Sequence, residues 1–142
     1  MYLICDKNSP YHDDIPNSEL NAENEIYLNW GLDYQSWHDS HFGPAVHPML
    51  TVNTGSMLQH YIHGNLWGIA PMSVITGAMC TNPNLTFYKL KTPPPPRICY
   101  AIQNRYPNVN HNEAIQKFGQ ELENFISADE NICSFESWML NT

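Results

Sequence analysis

Short apolar runs alternate with turn-forming residues along most of the chain. Tyr2-Leu3-Ile4-Cys5 is the first such run, and it ends in a turn-rich stretch over 6–16 that includes Pro10 and Pro16. Residues 25–30, Glu-Ile-Tyr-Leu-Asn-Trp, have strand length and aromatic enrichment. Gly31 breaks that strand, and 33–42 reads as a short helix with Tyr34, Trp37 and His41 on one face at i, i+3 and i+7. Gly43-Pro44 stops the helix. The pattern then predicts a strand over 48–52, a helix over 56–63 and a strand over 66–70. Pro71 suits the first position of a further helix running toward Met79. After the turn Asn82-Pro83-Asn84 a strand is expected over 85–90. Prolines 93–96 form a rigid extended connector to another strand over 97–103. Asn110 caps a closing amphipathic helix over 113–126, whose apolar face is Ile115, Phe118, Leu122, Phe125 and Ile126. The remainder reads as a tail, with Phe135, Trp138, Met139 and Leu140 able to dock. Strands alternating with helices at short intervals predict a small three-layer α/β sandwich. Its sheet is expected to be mostly parallel with an antiparallel edge strand.

Composition narrows the function classes. A chain of 142 residues is one domain by the usual length prior. No stretch reaches the ~18 uncharged apolar residues of a membrane span, and no basic segment followed by a long apolar run suggests secretion. The expectation is therefore a cytoplasmic protein without a membrane partner. Lys plus Arg total 6 against Asp plus Glu 14, a net charge of −8. Phosphate backbones repel such a chain, so no direct nucleic-acid contact is expected. Cys5, Cys80, Cys99 and Cys133 lie far apart with no Cys-x-x-Cys pair, and Cys5 and Cys99 fall in apolar strand-like runs. All four are read as reduced and non-catalytic.

Candidate chemistry concentrates at the ends of predicted strands. Thr51-Val52 runs into a polar turn, Asn53-Thr54-Gly55-Ser56, that feeds a helix. In open α/β sheets such turns, at the carboxyl ends of strands, are where small ligands bind. Trp30 and Gly31 end a second strand, and Pro71 and Met72 end a third. If the strands are parallel neighbours, the three loops form one wall of a cleft. Plainer roles stand beside these: Thr54 or Ser56 as a helix N-cap, Trp30 as core packing, and Arg97 either pairing with a carboxylate or lying on the surface. Seven histidines raise the question of a metal. His38-x-x-His41 and His60-x-x-His63 place imidazoles on adjacent helical turns, with His47 near the first pair. The His-Glu-x-x-His pattern is absent, so no metal and no cofactor are expected. With no nucleophile elbow, phosphate-binding glycine loop or paired catalytic carboxylates, the chain is not read as an enzyme.

The unit from Thr51 through Gly68-Ile69-Ala70-Pro71 resembles the effector-binding domain of LysR-type transcriptional regulators, which runs strand, Thr/Ser-rich turn, helix, then a Gly-Ile-hydrophobic-Pro strand. The run Leu90-Lys91-Thr92-Pro93-Pro94-Pro95-Pro96-Arg97-Ile98-Cys99-Tyr100-Ala101-Ile102 before a closing helix is similar to that family as well. The resemblance lies in the order of elements and covers roughly residues 1–126. It implies a domain over 1–127, a tail over 128–142, and a type 2 periplasmic-binding-protein-like fold. It further implies the sensing of a small, anionic effector by the turn 53–56 and its neighbouring loops, in a homo-oligomer. Full-length members carry an N-terminal winged helix-turn-helix that binds DNA, and an effector domain of two subdomains. Neither the helix-turn-helix nor the first subdomain is recognisable here. The chain is thus expected to be the second subdomain, with 2–5 as the outgoing crossover and 98–103 as the returning one. It would be a piece of a longer regulator or a truncated reading frame. The alternatives are a stand-alone solute-binding module of the periplasmic-binding-protein type and a histidine-based metal-dependent hydrolase.

Overall fold

Three consecutive apolar side chains, Leu3, Ile4 and Cys5, are all fully buried, which requires cover on both faces of their strand. In the computed structural model, which describes residues 1–100, 102 and 112–130, this strand is β1 (Tyr2–Asp6). It lies between β4 (Trp67–Ala70) and β5 (Leu85–Tyr88), antiparallel to both, with Tyr2 opposite Ala70 and Leu3 opposite Tyr88. A second sheet pairs β2 (Ile26–Tyr27) with β3 (Leu50–Thr51) in parallel. A parallel bridge between Glu25 and Trp67 joins β2's side to β4. The protein is a small mixed α/β fold.

The expected direction of the sheet needs correction. Among the described residues parallel pairing is confined to β2, β3 and the two isolated bridges, and the antiparallel strand β1 is central in its sheet, not at an edge. A continuous apolar run reports burial on two faces but carries no information on direction. The segment after β1 also holds no crossover helix. It makes two single turns of 3-10 helix, Asn17–Glu19 and Ala22–Asn24, that the pattern did not reveal.

Side-chain alternation assigns the two faces. Leu3 and Cys5 of β1 join Trp67 and Ile69 of β4, with Tyr34 and Trp37, Tyr11, Ile15 and Leu20 in one cluster. Ile4 points the other way, into a cluster with Ile26, Val52, Leu58, Ile62, Ile75, Ala78 and Leu85. Helix α1 (Leu32–Phe42) therefore covers one face, and α2 (Gly55–Tyr61) and α3 (Met72–Thr81) cover the other. Two glycines with positive φ delimit α1, Gly31 at 122° and Gly43 at 89°, a region other residues enter only under strain. Gly43 N–H closes the helix on Asp39 O at 3.0 Å.

Most expected elements occur, usually shorter. The strand expected over 25–30 is only two residues long, and Pro71 is the residue before α3, not its first. The expected strand over 97–103 is not formed: residues 97–100 have no regular structure, and 101 and 103 lie outside the described residues. Cys99 is exposed rather than buried in a strand, as is Cys80, while Cys5 is buried. The chain divides into two compact units after Ile98. The second contains α4 (Asn112–Ser127), which carries the expected apolar stripe from Ile115 to Ile126. Its expected cap Asn110, Cys133 and the tail from 131 onward lie outside the described residues.

Burial of the Tyr34 phenol holds it well above the ordinary tyrosine value of 10.0, with the charges of Glu25 and Tyr27 acting in the same direction. Burial likewise raises Tyr11, Tyr27 and the Cys5 thiol. Below pH 10.0 the phenol is neutral in both folded and unfolded chains, so nothing is lost there. Above it the unfolded chain releases a proton that the folded chain retains, and stability falls as pH rises. Urea midpoints should accordingly decline beyond pH 10, and Tyr34→Phe should flatten that decline. An unchanged slope in the variant would rule out the phenol as its source.

Candidate functional site

Trp30 is where the three candidate loops meet. It follows β2, and its indole Nε1 donates to Ile69 O at 2.7 Å, at the carboxyl end of β4. Its ring also approaches the loop after β3. A Cβ added at Gly55 would lie 3.4 Å from the outer edge of the Trp30 ring and 2.9 Å and 3.0 Å from the two methyl carbons of Val74. Val74 sits in the first turn of α3, and its N–H bonds Pro71 O at 3.0 Å. Gly55 is thus required by space and not by backbone angle: a side chain there would push the loops after β2, β3 and β4 apart.

The turn itself is exposed at Asn53, Thr54 and Ser56. Thr54 occupies the N-cap position of α2 with extended backbone, yet its side chain makes no capping hydrogen bond. Instead Thr54 Oγ1 and Ser56 Oγ share one hydrogen bond of 3.1 Å. A pair of hydroxyls joined in this way retains unused acceptor and donor capacity on the exposed side. Helix capping therefore does not account for both residues.

The other expected residues divide between lining this site and serving the fold. Gly31 is exposed beside Trp30, and its N–H is engaged by Asn29 Oδ1 at 2.8 Å. Pro71 is half-buried and its carbonyl anchors α3. Met72 packs against the core beneath α2 and α3. The residue after β4 that stands against Gly55 is Val74, in the first turn of α3; in sequence an apolar residue early in a helix reads as core. Arg97 lies on the surface and in contact with Trp30. Its guanidinium carbon stands 5.2 Å from the centroid of the Trp30 ring, a cation–π contact.

A second polar cluster lies beneath α1. Glu25 is 0% exposed and His38 4% exposed. His38 Nε2 donates to Glu25 Oε2 at 2.6 Å, and Tyr34 OH donates to Glu25 Oε1 at 3.2 Å. The buried face of α1 is therefore Tyr34, Trp37 and His38; His41, which the spacing had selected, is exposed. With His38 committed to Glu25 and His41 Nδ1 2.8 Å from Trp37 O, the His38-x-x-His41 pair is not arranged as a ligand pair. Among the described residues no group of three or more His, Cys, Asp or Glu side chains is placed to hold a metal ion. No helix among them is long and apolar enough to cross a membrane.

No family model matches this chain, and no curated protein and no solved structure matches it either.

Proposed function

We propose that this chain is a non-enzymatic, ligand-sensing unit of the LysR effector-binding type, taking a small anionic molecule at the loops that follow β2, β3 and β4. The observation that carries the reading is the contact of Trp30, Gly55 and Val74, which gathers three strand-end loops at one place. The exposed Thr54–Ser56 hydroxyl pair supplies polar groups there. The order strand, polar turn, helix, then Gly68-Ile69-Ala70-Pro71 supports the family assignment. Helices on both faces of β1 support a three-layer arrangement, half of a type 2 periplasmic-binding-protein-like domain. In this reading the protein acts in the cytoplasm as a homo-oligomer, and DNA contact belongs to other parts of the regulator. A ligand shifts such a sensor only by binding one arrangement of the loops more tightly than another.

Thermal melting across a panel of small organic acids, amino acids and divalent metals tests the proposal. A compound held at 100 times its Kd should add about 2.7 kcal/mol of stability. Thr54→Ala and Ser56→Ala should each diminish the shift while leaving the unliganded melting temperature nearly unchanged, since both hydroxyls are exposed. Stabilisation by a metal alone, or by nothing, would refute the reading.

A further inference from the structure

Lys plus Arg number only 6 in a chain of net charge −8, so an anion approaching most of this surface is repelled. Arg97 is a cation at the candidate site, and its placement is specific. It follows directly on the proline run 93–96, whose backbone is stiff, and its guanidinium carbon lies over the Trp30 ring, 5.2 Å from the centroid. That indole is itself fixed by its hydrogen bond to Ile69 O and by contact with the Gly55 turn. Among the described residues no carboxylate forms an ion pair with Arg97. With no carboxylate engaged, its N–H groups can meet a planar carboxylate with two parallel hydrogen bonds.

Resting on the reading of the site given above, we infer that Arg97 is the specificity-determining residue. It is the counter-ion that makes the site select small organic monocarboxylates over their neutral analogues, with Trp30 holding it in place. A single guanidinium supplies one positive charge and two parallel N–H donors, which suits one planar carboxylate.

The experiment is calorimetric titration of the full chain with three acid and amide pairs: acetate and acetamide, benzoate and benzamide, pyruvate and pyruvamide. At least one acid should bind wild type about tenfold or more tightly than its amide. Arg97→Gln should reduce that preference to near unity, weakening the acid and sparing the amide, whereas Arg97→Lys should retain part of it. Trp30→Phe should loosen acid binding by less than Arg97→Gln, because a ring remains beneath the guanidinium. Arg97 is exposed, so the two Arg97 variants should keep the wild-type melting temperature. An undiminished preference in Arg97→Gln would overturn the inference, as would equal binding of acid and amide by wild type. An amide that binds, and is lost on Ser56→Ala, would leave the sensing proposal standing while removing Arg97's role. No binding by any of the six compounds would overturn the monocarboxylate inference. If the wider panel was also silent, the sensing reading would fall with it.

Discussion

Glu25→Ala is expected to lower the unfolding free energy by about 3–5 kcal/mol, the usual range when one partner of a buried pair is removed. Its carboxyl group is completely buried and receives hydrogen bonds from both His38 and Tyr34. Truncation leaves an imidazole and a phenol without that acceptor in an apolar surround formed by Tyr27, Trp37 and Phe42. The loss arises more from these stranded groups than from attraction forfeited. A double replacement, Glu25→Met with His38→Leu, should therefore be closer to wild type than Glu25→Ala alone. Urea denaturation followed by far-UV circular dichroism measures both. A cost below about 1 kcal/mol for Glu25→Ala would show that the cluster is solvated in solution.

Trp67→Ala should be comparably severe, at about 3–5 kcal/mol. Trp67 is wholly buried, faces Cys5 across the β1–β4 pairing, and lies 5.7 Å from the Phe42 ring. Its indole N–H bonds Asn21 O at 3.0 Å, tying the 3-10 segment to the sheet. The bridge to Glu25 also makes it the junction between the two sheets. Trp67→Phe keeps most of the ring and should cost about 1 kcal/mol for the lost hydrogen bond plus a modest packing defect. If the alanine and phenylalanine variants melted alike, the hydrogen bond and not the ring volume would be the larger contribution.

Element types along the chain were legible because local rules govern them. Gly31 and Gly43 delimit α1 by backbone angle, and Pro71 precedes α3. Contacts between elements were not legible. The spacing of Tyr34 and Trp37 fits either His38 or His41 as the third buried residue of α1. The choice is made by Glu25, thirteen positions upstream, and no periodicity links them. Gly55 could be read as a turn glycine, but its φ is ordinary. The methyl groups of Val74 and the Trp30 ring exclude a side chain there, and only the fold reveals them. Arg97 was visible as a charge after prolines; that it rests on Trp30 depends on the path those prolines take across the domain.

The placement of β1 bears on how the molecule is made. Tyr2–Asp6 emerges before the other strands of its sheet, and both of its hydrogen-bonding partners, Trp67–Ala70 and Leu85–Tyr88, come much later in the chain. During synthesis an apolar segment must wait unpaired until its neighbours on either side have left the ribosome, and closing such long loops slows folding. The nascent chain therefore carries the central strand of this sheet exposed for longer than the two strands that flank it. That interval is when a chaperone binding Leu3-Ile4-Cys5 would matter most to yield.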